Sequence, residues 1–160
     1  MQVWLVRHAV AVERHLDLAA DFDRPLTAKG RRRFRRFARW LADRPAPPSA
    51  VAASPLVRAV QTAAILNEAL GFKESDLRIE KCLAPGVDIR RLISLLKKVR
   101  AETIAVVGHE PDMSCLAAKF IGGGSLTFGK GNIACIEFDG NPAPGAGSLR
   151  WFLGPRLIID

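Results

Sequence analysis

The chain has 160 residues, 49% hydrophobic and 25% charged. That is the balance of one globular domain, expected to span residues 1–160, and it excludes a disordered, collagenous or disulfide-stapled chain. Lys and Arg total 24 against 16 Asp and Glu, a net charge of +8, which favours anionic partners without specifying a fold. Three cysteines, Cys82, Cys115 and Cys135, stand without CxxC spacing. An odd count with no basic leader before Met1–Leu5 predicts reduced thiols, read as small core residues, in a cytoplasmic protein. No apolar run approaches the roughly 20 residues a membrane helix needs, and no membrane partner is expected.

Val3 to Val6 is a short apolar run ending in Arg7-His8, the pattern of a strand buried on both faces. Residues 9–26 show no period and read as a loop, with His15 facing solvent. Thr27 then reads as an N-cap. Gly30, Phe34, Phe37 and Leu41 follow at helical spacing, with Arg31, Arg32, Arg35, Arg36 and Arg39 on the other face. Pro45, Pro47 and Pro48 stop that helix. Ala50 to Ala53 predicts a second strand. Ser54-Pro55 predicts a helix start, with Ser54 as cap, and Gly71 its end. Leu77 to Leu83 suggests a weak strand. Asp88 caps a helix carrying Ile89, Leu92, Ile93, Leu96 and Val99 on one stripe. Thr103 to Val107 is a buried strand ending in Gly108-His109, and Pro111 opens a helix with Met113, Leu116, Ala117 and Phe120 inward. Ile133 to Phe138 and Leu149 to Leu153 read as a late antiparallel pair. This order predicts an α/β three-layer sandwich with a mostly parallel central sheet, an antiparallel strand and helices on both faces.

In open α/β sheets, ligands bind beyond the carboxyl ends of the strands. Three such ends carry Arg7-His8, Ser54 with Arg58 one turn later, and Gly108-His109. Helical side chains lean toward the helix N-terminus, which aims Arg58 back at the strand ends. Two arginines and two histidines meeting there would suit a dianionic phosphoryl group, because guanidinium forks match phosphate oxygens. A neutral imidazole can also attack phosphorus in line and be discharged by water. No HExxH, Asp-rich loop or histidine cluster suggests a metal, and no cofactor is expected.

Leu5-Val6-Arg7-His8-Ala9 resembles the Arg-His-Gly motif of the histidine phosphatase superfamily, the phosphoglycerate-mutase-like fold. Ser54-Pro55-Leu56-Val57-Arg58-Ala59-Val60-Gln61-Thr62-Ala63 is similar to its Ser-Pro-x-x-Arg-Ala-x-Gln-Thr-Ala block. Val106-Val107-Gly108-His109-Glu110-Pro111 resembles its second-histidine block. Chain length, Arg24-Pro25-Leu26-Thr27 and the lack of a large insertion look most like the small SixA-type phosphohistidine phosphatases. The resemblance implies that His8 accepts the phosphoryl group and that Arg7, Arg58 and His109 bind it. The chain departs from the pattern at Ala9, where the family has glycine and a Cβ narrows backbone freedom.

A sugar or serine phosphate leaves as an alkoxide and needs a general acid, whereas phosphohistidine leaves as an imidazole whose conjugate acid has a pKa near 6.5. Glu110, directly after His109, is the candidate acid. Its plain alternative is a carboxylate favourable at a helix N-terminus. Glu74, Asp76, Glu80 and Asp88 are candidates by composition only. Ser54 is a cap that could also face the phosphate, and Arg24 lies either at the pocket rim or in an ion pair near Asp23. A short chain without a capping insertion implies an open crevice, suited to a histidine displayed on a folded protein. The expected partner is a phosphorylated histidine-containing phosphotransfer domain, with inorganic phosphate as product. A small-molecule phosphomonoesterase is the same-class alternative, and a non-catalytic phosphate- or nucleic-acid-binding module the different-class one. The arginine-rich helix face is either simply solvated or a docking patch. With thin aromatic interleaving, nucleic acid is the disfavoured partner. Trp4, Trp40 and Trp151 read as packing residues.

Overall fold

The computed structural model describes residues 1–13 and 18–158; His15 lies outside them. Six strands form one sheet: β1 (Gln2–Arg7), β2 (Ala50–Ala53), β3 (Arg78–Ile79), β4 (Thr103–Gly108), β5 (Ile133–Glu137) and β6 (Ser148–Leu153). Their spatial order is β3-β2-β4-β1-β5-β6. β3, β2, β4 and β1 run parallel, and β5 is antiparallel to both β1 and β6. The helices are α1 (Leu18–Asp23), α2 (Ala28–Ala42), α3 (Val57–Ala69), α4 (Ile89–Val99), α5 (Asp112–Ile121) and α6 (Pro155–Ile158).

Strand side chains alternate between the two faces, and the core divides accordingly. Trp4, Val6, Val51, Ala53, Ala105, Val107 and Ile133 face α2 and α3. Val3, Leu5, Ala52, Ile104, Val106, Ala134 and Ile136 face α4 and α5. This is the three-layer sandwich expected. Each fully buried Val, Leu, Ile or Phe contributes roughly 1.5–3 kcal/mol, so the doubly covered strands β1 and β4 anchor the molecule. Trp4 packs edge-on against Trp151 at 4.9 Å, and Phe37 stacks on Trp40.

Two of the expected caps are present. Thr27 accepts from Gly30 N–H at 2.9 Å and Asp88 from Arg90 N–H at 2.7 Å. Gly71 and Gly122 adopt the left-handed φ that ends α3 and α5. Gly30 also lets the backbone after β1 approach closely, because a Cβ there would lie 2.3 Å from the Val10 carbonyl oxygen.

Four expectations are corrected. Segment 9–26 is not all loop: it contains α1 and an isolated bridge between Ala11 and Leu26. Ser54 is not the N-cap: α3 starts at Val57 after Leu56, and the Ser54 hydroxyl lies 2.8 Å from His109 Nε2 while accepting from Leu56 N–H at 3.4 Å. The strand at 77–83 shrinks to two exposed residues followed by a 3-10 turn. Of the cysteines only Cys135 is buried, while Cys115 is exposed. No helix among the described residues is long and apolar enough to cross a membrane.

Candidate active site

Parallel register brings three strand ends together. Arg7 pairs with Gly108 across β1 and β4, and Ala53 pairs with Val107 across β2 and β4. The backbone pairing continues one residue further: His8 N–H donates to Gly108 O and Ser54 N–H to Val107 O, both at 3.0 Å. His8, Ser54 and His109 therefore leave the sheet side by side. All three are buried, as is Arg58 from the first turn of α3.

The two imidazole rings lie 5.3 Å apart, centroid to centroid. His8 Nδ1 sits 2.8 Å from its neighbour's carbonyl, Ala9 O. A carbonyl can only accept, so Nδ1 carries the proton and Nε2 keeps its lone pair. His109 Nε2 is 2.8 Å from Ser54 Oγ, and its buried Nδ1 has no hydrogen-bond partner among the described residues. Burial, then Lys130, pushes the His8 imidazole from 6.5 down to about 2. Burial, then Arg58, pushes His109 down to about 4. Desolvation and nearby cations both disfavour the imidazolium, so both rings are neutral at pH 7.

Arg7 Nη1 donates to the Phe128 carbonyl, and its buried Nε has no partner among the described residues. Arg58 reaches α1, donating to Asp21 O at 2.6 Å and Asp21 Oδ2 at 3.1 Å. Arg24 pairs with the same carboxylate at 3.1 Å and donates to Val12 O. Of the two readings of Arg24, pocket rim or ion pair near Asp23, the structure shows an ion pair, with Asp21 as the partner.

The remaining motif residues fasten this arrangement. Thr62 Oγ1 accepts from Ala9 N–H at 3.0 Å and donates to Arg58 O at 2.7 Å, tying β1's exit to α3. Gln61 Oε1 accepts from Leu26 N–H, fixing the Arg24–Thr27 segment. Ala9 has no left-handed φ, so its Cβ is tolerated where the family has glycine. Glu110 Oε2 accepts from Ser114 Oγ at 2.7 Å, one turn into α5, and its charge is felt by Arg7. Of the residues named only by composition, Asp88 caps α4 and Asp76 accepts from Lys73 N–H.

Sequence reasoning missed Asp21 and Lys130. The latter lies between Gly129 and Gly131 just before β5. Because β5 runs antiparallel to β1, its start lies beside β1's end: Gly131 N–H donates to His8 O at 3.1 Å, and Arg7 N–H to Asn132 O at 3.0 Å. Desolvation, then Arg7, Arg24 and Arg58, lowers the Lys130 ammonium from 10.5 to about 8. Two glycines flanking a lysine at a strand mouth were the only signal available. Among the described residues no group of three or more His, Cys, Asp or Glu side chains could hold a metal ion.

Comparison with known proteins finds relatives along the whole chain. The family model described as histidine phosphatase superfamily (branch 1) matches residues 3–84. Phosphohistidine phosphatase SixA of Escherichia coli (strain K12) is 30% identical over 159 residues, covering 97% of this chain and 94% of that protein. A solved structure of the protein histidine phosphatase SixA complexed with tungstate superimposes with a TM-score of 0.84 at 28% identity, over 99% of both chains. The mycobacterial glucosyl-3-phosphoglycerate phosphatase shares the fold, with a TM-score of 0.69 at 16% identity over 93% of this chain and 96% of its own.

Proposed function

Because the chain belongs to the histidine phosphatase superfamily, and is accordingly a phosphatase, we propose that it removes the phosphoryl group from a phosphohistidine side chain of a protein. The observation that carries this reading is the pair of facing neutral imidazoles, with His8 held by Ala9 so that Nε2 keeps its lone pair. In the first step Nε2 of His8 attacks phosphorus in line. The new N–P bond forms as the substrate's N–P bond breaks, and the departing imidazole takes a proton from water. In the second step water attacks phospho-His8, inorganic phosphate leaves and the ring returns to its starting state. Arg7, Arg58 and the free Nδ1 of His109 surround the position of the equatorial oxygens, where charge stabilisation is most effective. Ser54 holds the other nitrogen of His109, and Arg24 acts through Asp21.

Phosphohistidine fits better than an alkyl phosphate because its leaving group requires no strong acid; of the two carboxylates at the site, Asp21 is held by Arg58 and Arg24, and Glu110 accepts from Ser114 through Oε2. Similarity to a phosphohistidine phosphatase along nearly the whole chain supports the same choice. Three unbridged thiols suit a reducing compartment such as the cytoplasm.

The test is a side-by-side assay on a phosphohistidine protein, a phosphoserine peptide and several sugar phosphates, with EDTA present. Turnover of the phosphohistidine protein is expected, with an acid-labile phosphoenzyme. His8→Ala should abolish both turnover and labelling at unchanged circular dichroism. Efficient sugar-phosphate turnover with phosphohistidine ignored would establish the small-molecule reading instead, and retained activity in His8→Ala would end the covalent mechanism.

A further inference from the structure

Beside the candidate site lies a groove of about 510 Å³ between the loop after β1, α2, the segment before β5 and α6. It shares Arg7 with the site, and Arg33, Lys130 and Arg156 line it as well, with no carboxylate among its described lining residues. Its other character is apolar: Val10 is 41% exposed and Leu157 75% exposed. A tight backbone junction positions its floor, since a Cβ on Gly131 would lie 3.1 Å from Pro155 and 3.2 Å from Phe34. Arg33 is the residue that α2 contributes to this lining.

We propose that this groove is a docking subsite for the residues that flank the phosphohistidine on a protein substrate, and that it selects flanks carrying carboxylates next to an apolar side chain. The inference deepens the function proposed above and rests on it. The complementarity is direct. Arg7 belongs both to the phosphoryl site and to the groove, so a substrate whose phosphoryl group is engaged there lies next to the surface that Lys130 and Arg156 also line. Cations lining a concave surface attract an acidic segment and fix its register, while Val10 and Leu157 offer contact area that free phosphate or a sugar phosphate cannot use. Nucleic acid fits less well, because no aromatic side chain on which bases would stack is among the groove's described lining residues.

The test compares wild type with the double variant Arg156→Glu, Leu157→Ser on two substrates: phosphoramidate, and a phosphohistidine protein with acidic residues beside the modified histidine. On the protein, KM should rise at least tenfold on the order of a lost charged contact, and on phosphoramidate both kcat and KM should stay within about twofold. Replacing the acidic flank by the corresponding amides should raise the wild-type KM and shrink the difference between the enzymes to the part that Leu157 contributes. Equal losses on both substrates, or no loss on the protein, would overturn the subsite while leaving phosphohistidine hydrolysis intact. Competition by a single-stranded RNA oligomer, lost in the variant, would reassign the groove to nucleic acid. A wild-type enzyme that cleaves phosphoramidate but no phosphohistidine protein would overturn the substrate assignment and the subsite together.

Discussion

Helices α2 and α3 pack against each other on the same face of the sheet, yet they handle polar residues in opposite ways. α2 buries Gly30, Phe34, Phe37, Ala38 and Leu41 and leaves Arg32, Arg36 and Arg39 exposed. α3 buries Arg58, Thr62 and Asn67 among its alanines and leucines. Burying a charged or hydroxyl group costs free energy unless it is partnered, so a helix like α2 follows from the hydrophobic effect alone. α3 does not. Each polar residue it buries has a structural reason: Arg58 reaches Asp21, Thr62 joins Ala9 to the helix, and Asn67 donates to Lys73 O at the turn after α3. Two of these three lead to His8 and its surroundings. Buried polarity marks the functional helix, and it must be followed to its partners before it is interpreted.

The comparison can be broken most decisively with arginines. Arg58→Ala should lower kcat/KM on the order of 10²–10³, as loss of one transition-state donor does, whereas Arg32→Ala on the exposed face of α2 should change it less than about twofold. Comparable losses from both would erase the distinction. Thr62→Val should cost about 1–3 kcal/mol in chemical denaturation, because the buried Ala9 N–H loses its acceptor, and should also slow turnover by loosening the exit of β1.

Acid sharpens the contrast. His8 and His109 titrate far below their ordinary 6.5 in the folded protein, at about 2 and about 4. Below pH 6.5 the unfolded chain therefore binds protons that the native state refuses. Their contribution to stability is fully present above pH 6.5 and is lost as pH falls toward 4 and then 2. Thermal unfolding should decline over that range, and the slope between pH 6.5 and 4 should flatten in His109→Gln. The smallest effect belongs to α2: Thr27→Ala removes its cap and should cost about 1 kcal/mol, read as a shift in denaturation midpoint with little change in kcat.

Much of this was legible in the residues. The strands β1 and β4 announce themselves as apolar runs, α2 and α4 as amphipathic stripes with Thr27 and Asp88 as caps, and parallel order alone predicts that Arg7, His8, Arg58 and His109 converge. What escaped is what depends on distant partners. The six residues of α1 have no period to detect, and Asp21 acquires its meaning from Arg58 and Arg24. Ser54 has every local mark of a cap, but its hydroxyl is held by His109 across the sheet. Lys130 is far from His8 in sequence and reaches the crevice only because β5 reverses direction beside β1.

That reversal has a consequence for how such a scaffold diversifies. The motif-bearing residues all follow parallel strands whose positions are locked by helices on both sides. The stretch between Gly122 and Gly131, by contrast, enters from the opposite direction and joins the crevice through backbone bonds at its last residues. Its lysine adds charge to the crevice, but Phe128 within it is buried in the core and its carbonyl holds Arg7, so the stretch cannot be exchanged without releasing a group that touches phosphorus.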